Sequence, residues 1–311
     1  MPGVTAPLDE NLLKGVSRSF YLSLRLLPAA MRPAASLGYL LARTSDTIAD
    51  TCHVSVSCRR ENLAEFAISL QSATATAPAW SHALTAALQD PRERHLLASN
   101  APILTALRRL PAAEARLVRE VCEIIISGQL LDLERFATAH RDEPVALADA
   151  AALADYTWRV AGCVGEFWTK LGFLTFGKRY SHTPEAVLLE QGRHYGMGLQ
   201  LVNILRDLGP DLAVGRCYLP VLPSDPERFL AAYLQWFQQA KEWTSVGKSY
   251  AAALGGGRRL RVATVLPALL AEKTLLKLAP PIFPLLQTGV KISRKQVYMT
   301  LARAVFHSRL Q

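Results

Sequence analysis

Two aspartate pairs of identical spacing stand roughly 160 residues apart: Asp46-Thr-Ile-Ala-Asp50 and Asp207-Leu-Gly-Pro-Asp211. Residues four apart on an α-helix lie about 40° from one another around its axis, so each pair presents both carboxylates on one helical face. Neither pair sits in a polar stretch. Asp46 and Asp50 follow Leu37-Gly-Tyr-Leu-Leu-Ala42 and bracket Ile48 and Ala49, and Asp207 closes Gly198-Leu-Gln-Leu-Val-Asn-Ile-Leu205. A lone D-x-x-x-D is commonly a solvated acidic face, but carboxylates embedded in apolar runs need partners. Two such faces opposed across a cleft make a cluster of four carboxylates, which repels itself unless divalent cations sit in it. Hard cations such as Mg²⁺ take a few carboxylates and leave positions open for phosphate oxygens. The spacing therefore predicts helices folded so that the two pairs meet around a diphosphate.

The rest of the chain agrees with a helical reading. Half of its 311 residues are hydrophobic, Ala, Leu and Arg dominate, and long alternating β-branched runs are absent. That composition predicts an all-α protein with a sizeable core. Helices are expected at 9–26, 31–50, 57–72, 92–109, 112–137, 148–174, 184–209, 225–253, 258–277 and 292–309. Breaks fall at Pro28, Pro33, Pro220 to Pro226, Gly255-Gly-Gly257 and Pro280-Pro281. Residues 73–91, rich in Ala, Thr and Ser, read as a weakly determined connection. No repeat or linker divides the chain, so residues 1–311 read as a single helical domain. No apolar run reaches the length of about eighteen residues that spanning a bilayer takes, and Met1-Pro-Gly-Val-Thr-Ala6 lacks the basic and apolar regions of a signal peptide. A cytoplasmic protein is expected.

The five cysteines, Cys52, Cys58, Cys122, Cys163 and Cys217, show no C-x-x-C spacing and read as free thiols rather than a zinc site. The seven histidines are scattered. A net charge of +9, from 35 basic and 26 acidic residues, suits an anionic partner. The basic residues are not interleaved with aromatics as in nucleic-acid binders, so a diphosphate substrate and weak attraction to anionic lipid account for the charge better than nucleic acid does.

Basic and polar residues crowd the aspartates. Gly209 and Pro210 are expected to end the second helix within its own motif, placing Asp207 near a helix C-terminus, where carbonyl ends favour a cation. Asn203 precedes Asp207 by four and shares its face, where its carbonyl oxygen would complete a metal site, and Gln200 lies about a turn further back. Arg43, Arg206 and Arg216 stand close to the acids, and the guanidinium fork suits phosphate oxygens as well as the same aspartates. Ser17-Arg18-Ser19-Phe20 offers two hydroxyls and a further cation.

At this point the residues resemble a known family. Ser17-Arg-Ser-Phe20, Arg43-Thr-Ser-Asp-Thr-Ile-Ala-Asp50, Tyr156-Thr-Trp-Arg-Val-Ala-Gly-Cys-Val-Gly165, Gln200-Leu-Val-Asn-Ile-Leu-Arg-Asp207 and Gly215-Arg-Cys-Tyr-Leu-Pro220 resemble the squalene and phytoene synthases, head-to-head prenyl transferases. The likeness runs in order from about residue 11 to 309. It implies a single-domain, all-α isoprenoid synthase fold, a helical bundle around a central cavity with two facing Asp-rich motifs. It implies Mg²⁺ held by Asp46, Asp50, Asp207 and Asp211 with Asn203, and diphosphates contacted by Arg43, Arg206, Arg216, Ser17, Ser19 and Tyr218. Tyr39, Phe20, Tyr156 and Gln200 would line the reaction cavity. Val160, Ala161, Gly162 and Gly165 resemble a small-residue stretch along which a prenyl chain passes close to the helix backbone.

The implied reaction joins two farnesyl diphosphates through presqualene diphosphate. Val290-Lys-Ile-Ser-Arg-Lys295 resembles the segment that squalene synthases use for NADPH, with Ser293 an apparent insertion, and implies cofactor contacts from Lys291 and Arg294 and squalene as product. The alternatives are a phytoene synthase, towards which Asp132-Leu-Glu-Arg-Phe136 leans, or a synthase that stops at presqualene diphosphate or adds water to give hydroxysqualene. A catalytically inactive scaffold is a reading of another class, against which all four aspartates argue. Eukaryotic squalene synthases carry a C-terminal membrane helix, whereas this sequence ends at Gln311 after the amphipathic, basic Lys291–Arg309 segment, so a soluble or peripherally bound protein is expected.

Overall fold

Apolar residues at helical spacing give a bundle of antiparallel and crossing helices. The computed structural model describes residues 10–17, 20–72, 77–279, 290 and 292–307. In chain order the helices are α1 (Glu10–Ser17), α2 (Phe20–Leu26), α3 (Arg32–Asp50), α4 (Val56–Gln71), α5 (His82–Ala87), α6 (Pro91–Ala98) and α7 (Asn100–Arg109). They continue as α8 (Ala112–Arg135), α9 (Ala150–Thr157), α10 (Cys163–Phe176), α11 (Glu185–Ala213), α12 (Pro226–Ala252), α13 (Arg258–Leu278) and α14 (Arg294–His307). One apolar cluster gathers α1 to α8 with α10, around Leu40, Leu41, Ile48, Phe66 and Ile125. A second gathers Leu153, Leu201, Leu205, Phe229, Tyr233 and Leu275. Helices α11, α12 and α13 contribute to both clusters and tie them together.

The boundaries of α3, α8, α12 and α13 agree with the sequence to within two residues. Four local features do not. The helix expected over 92–109 is interrupted at Ser99, because Pro102 has no N–H to continue the ladder; Asn100, fully buried, instead reaches from α7 to the Thr44 hydroxyl of α3 at 3.2 Å. Within 73–91, Ser81 caps α5 by accepting from the Leu84 N–H, and Leu84 is buried. The helix expected over 148–174 passes through a π-helical turn at Trp158–Gly162. Pro210 does not end α11, which runs on to Ala213. Proline's φ fits a helix, and burial of Leu208 and packing of Leu212 against the second core hold the extra turn despite one missing hydrogen bond.

The closest helix packing is made by glycines. A Cβ on Gly165 of α10 would lie 1.8 Å from the Gly192 carbonyl oxygen of α11, and one on Gly196 would lie 2.2 Å from that of Ala161. Gly162, at the end of the π-helical turn, and Gly165 of α10 thus both serve close contact with α11. The expected outcome for Gly165→Ala is a loss of about 1–3 kcal/mol, since backbone must move to admit the methyl group. Gly15→Ala in α1, where a Cβ meets nothing within 4 Å, should instead gain up to about 1 kcal/mol. Urea denaturation of the two variants checks both signs.

Candidate active site

The two core clusters leave a polar cavity of about 220 Å³, lined by Asp46, Ala49 and Asp50 of α3 and by Gln129, Asp132 and Leu133 of α8. Tyr156, Val160, Gln200, Arg216 and Tyr218 close its other sides. Tyr156 and Val160 stand four apart on the α9–π segment, and Gln200 comes from α11. Arg216 and Tyr218 arrive by another device. After α11, Gly215 turns the chain with φ +85°, and a side chain there would collide with His140, 2.3 Å from its carbonyl oxygen. The following residues form a short parallel ladder between β1 (Val145–Ala146) and β2 (Arg216–Cys217), in register Val145 to Arg216. The Val145 N–H donates to the Gly215 carbonyl at 2.8 Å, and the Leu147 N–H to that of Cys217 at 3.0 Å. An extended pair inside a helical protein thus aims Arg216 and Tyr218 into the cavity.

Burial dominates the electrostatics. It pushes the Asp46 carboxyl up to about 7, reinforced by Asp50 and opposed by Arg43 and by the Gln129 amide, which donates to Asp46 at 2.5 Å. Asp50 is exposed to solvent on one side, yet crowding by protein raises it too, against the pull of Arg216, Arg43 and Arg59. Burial also raises Asp211 to about 7, with Arg216 pulling the other way and Asp207, Asp132 and Asp50 adding to the rise. For Arg216, burial works against its charge, but Tyr218, Asp211, Asp132 and Asp50 outweigh it and raise its pKa. The cavity therefore holds more carboxylates than its arginines balance.

Asp132 was passed over as a site residue in the sequence, and it is central. Burial lifts it to about 6, opposed by the Tyr218 hydroxyl, which donates to its Oδ2 at 2.9 Å. The Tyr156 hydroxyl in turn donates to that of Tyr218 at 3.5 Å, and their rings stack 4.8 Å apart at 26°. Asp132 Oδ1 and Gln129 Oε1 are buried without a hydrogen-bond partner. Arg59 is a second omission: it donates to the Ala49 carbonyl at 2.8 Å and adds a cation beside Asp50. The available signal was Gln129 and Asp132 three apart within the otherwise apolar face of α8.

The other expected residues are distributed as follows. Asp207 does not line the cavity; its carboxylate accepts two bonds from Arg206, at 2.8 and 2.5 Å, so each occupies the other. Asp211 faces Arg216 at 3.7 Å, and the Asn203 amide donates to Gln200 Oε1 at 3.3 Å. Arg43 pairs with Glu93 of α6 at 2.8 Å. The buried Ser17 hydroxyl donates to the Leu13 carbonyl at 2.5 Å. Phe20 and Tyr39 stack on each other at 5.3 Å, and the Tyr39 hydroxyl donates to the Val16 carbonyl at 3.1 Å. Ser19 and Lys291 lie outside the described residues, as does the side chain of Arg294.

The donor set suits a hard divalent cation. Asp46 and Asp50 present carboxylates to a cavity that Asp132 also lines, with unpartnered oxygens on Asp132 and Gln129 and carboxyls destabilised as anions by burial. Among the described residues no three acidic, His or Cys side chains converge to hold an ion by themselves. Magnesium does not require this, since it is held through one or two carboxylates together with substrate phosphates and water.

Residues 13–296 match the squalene/phytoene synthase family. A presqualene diphosphate synthase of Zymomonas mobilis is 32% identical over 222 residues, covering 69% of this chain and 62% of that protein. A 15-cis-phytoene synthase of Synechocystis is 30% identical over 216 residues, 68% of this chain and 54% of that one. The chain thus spans roughly six-tenths of the length of such relatives. The solved complex of TcSQS with the ligand E5700 is 23% identical, superposes with a TM-score of 0.76, and covers 96% of this chain and 87% of that one. That likeness shows the isoprenoid synthase fold, and the sequence match carries the assignment further: the chain belongs to the squalene/phytoene synthase family of prenyltransferases.

Proposed function

We propose that the cavity joins two farnesyl diphosphates head to head to give presqualene diphosphate. The observation that carries this reading is the placing of Asp46, Asp50 and Arg216 with the Tyr156–Tyr218 pair around one space, a diphosphate-holding face beside an aromatic one, with Asp132 bonded to the end of that pair. Presqualene diphosphate synthase is also what the relative from Zymomonas mobilis is named.

Asp46 and Asp50, with Asp211 and Asp207 on the facing helix and Asn203 beside them, are the residues that would hold Mg²⁺. When bound, the metal neutralises charge on the departing diphosphate. Arg216 keeps its charge in this setting and suits the same oxygens, with Arg59 and Arg43 behind it. Release of diphosphate from the donor leaves an allylic cation, which the stacked faces of Tyr156 and Tyr218 stabilise. The double bond of the acceptor attacks that cation, and loss of a proton closes the cyclopropane. The directed chain from Tyr156 to Tyr218 to Asp132 suits that proton: Tyr156 takes it, each hydroxyl passes its own onward, and Asp132 ends neutral. Apolar walls, Val160 and Leu133 among them, keep water from the cation.

A second reading carries the reaction on to squalene with hydride from NADPH, favoured by the Val290–Lys295 segment and its Lys291 and Arg294. Phytoene synthesis from the longer geranylgeranyl diphosphate is a third, consistent with the Synechocystis relative. Among the described residues no helix is long and apolar enough to cross a membrane.

Purified protein incubated with farnesyl diphosphate and Mg²⁺, with and without NADPH, should yield presqualene diphosphate by mass analysis. Squalene only with NADPH would establish the second reading, and turnover of geranylgeranyl diphosphate alone would overturn the first. Asp46→Asn should lower kcat at least about 100-fold without loss of thermal stability; near-native turnover would contradict the role given to this carboxylate. Because Asp132 must be ionised to accept a proton, kcat should rise with pH through about 6, and Asp132→Asn should remove that limb together with most of the rate.

The raised carboxyls also set a stability trend. Each binds its proton more tightly folded than unfolded, so metal-free protein should lose stability as pH rises from about 4 to 7 and then level off. Asp46→Asn should flatten this fall, and Mg²⁺ with pyrophosphate should reverse it at pH about 8, readable as a melting shift of about 2–4 °C for each kcal/mol regained.

A further inference from the structure

The π-helical turn at Trp158–Gly162 interrupts the helical segment that delivers Tyr156 and Val160 to the cavity. Its i→i+5 bonds open the coil by one residue, and turns of this kind recur at functional sites. Polar side chains outside the cavity tie this one to α8. The Arg159 guanidinium donates through Nε to Asp155 Oδ1 at 2.8 Å, and through Nη1 to the Ser127 hydroxyl of α8 at 2.9 Å. Ser127 gives its own proton to the Ile124 carbonyl at 2.7 Å, which leaves its oxygen free to accept. At the end of α8, Arg135 donates to Asp155 Oδ2 at 3.4 Å and to the Ala152 carbonyl at 3.3 Å. Between these anchors α8 is pressed onto the turn: a Cβ on Gly128 would lie 2.8 Å from the Arg159 Cβ and 3.2 Å from Val160 Cγ1.

Each anchor is a chain neighbour of a cavity residue. Asp155 precedes Tyr156 and Arg159 precedes Val160, while on α8 Ser127 and Arg135 bracket Gln129 and Asp132. The network therefore spans the same two elements as the hydroxyl chain from Tyr156 through Tyr218 to Asp132. That chain has little slack. Tyr218 lies 2.9 Å from Asp132, but the Tyr156 and Tyr218 hydroxyls are 3.5 Å apart, at the outer limit for a hydrogen bond, so a small shift of α9 against α8 breaks it. Partly exposed ion pairs add little to stability, so placement explains Arg135, Asp155 and Arg159 better than stability does.

We propose that Asp155 and Arg159 are positioning residues, which lock α9 and the π turn to α8 and so couple departure of diphosphate to carbon–carbon bond formation rather than to capture by water. The inference rests on the reading of the cavity given above, though not on the length of the prenyl chain. With the lock intact, Tyr156 stays within reach of Tyr218, and Val160 keeps its place in the wall. With the lock loosened, diphosphate still departs with the electron pair of its C–O bond, because Asp46, Asp50 and Arg216 take no part in the lock. The allylic cation then meets water: a new C–O bond forms, the surplus proton passes to solvent, and a monomeric prenyl alcohol results.

The test follows diphosphate release and lipid products together, in the full chain with Mg²⁺ and farnesyl diphosphate. Arg159→Gln should slow formation of the coupled product about 10- to 100-fold, with a smaller loss of diphosphate release, an unchanged KM and prenyl alcohol making up the difference. Asp155→Asn should do the same, and the double variant should be no worse than either, since the pair acts as a unit. Arg159→Lys, which keeps the charge and one donor, should lie between Arg159→Gln and the unaltered protein. Ser127→Ala removes one hydrogen bond with no change of charge, and should raise the alcohol fraction without endangering the fold. Lys248→Gln, which breaks the exposed Lys248–Glu272 pair between α12 and α13, should leave the fraction unchanged. A native alcohol fraction in the Asp155, Arg159 and Ser127 variants would overturn the proposal. So would product and diphosphate release falling in step, which is the signature of a merely structural role. Turnover of geranylgeranyl diphosphate alone would overturn the functional reading instead, and the same alcohol fraction measured with that substrate would still decide the role of the lock.

Discussion

Carboxylates crowded by protein in and around one cavity make the constraint on which the rest of this structure depends. Asp46, Asp50, Asp132 and Asp211 all carry raised pKa values, and burial is the first cause in each. A cluster of this kind costs stability unless protons, arginines or metal ions balance it. The chain retains it, and retaining a destabilising arrangement is the mark of a site rather than of a scaffold.

The surrounding fold exists to hold those groups still. Helix α3 is anchored from beneath by Asn100 on Thr44 and at its end by Arg59 on the Ala49 carbonyl. Glycine contacts bring α10 against α11, and the short parallel ladder with Gly215 turns Arg216 and Tyr218 inward. Neither arginine beside the second aspartate pair is idle: Arg206 holds Asp207, and Arg216 faces Asp211. Under the proposed reading, binding of diphosphate with metal would require these pairs to exchange partners.

Much of this was legible in the sequence, for identifiable reasons. The D-x-x-x-D spacing on an apolar background located α3 and α11 because helical periodicity is local information. Gln200 and Arg216 stood out by their spacing to the aspartates, and Tyr156, Val160 and Tyr218 through the family likeness; the cavity gathers all five. Asp132 and Arg59 were missed because their significance arises from neighbours far along the chain, Tyr218 in one case and Asp50 in the other. Pro210 misled for a related reason: the local rule against proline was overridden by burial of Leu208 and packing of Leu212. The π-turn at Trp158–Gly162 and the ladder at Arg216 leave no periodic trace in the sequence.

The central claim is that one cavity takes two prenyl diphosphates and that its carboxylates bind them through a divalent cation. Calorimetric titration with farnesyl thiodiphosphate, an analogue slow to ionise, tests it most directly. The account predicts two equivalents bound per chain in the presence of Mg²⁺, and little binding in EDTA. A single equivalent, or binding of equal strength without the metal, would contradict it.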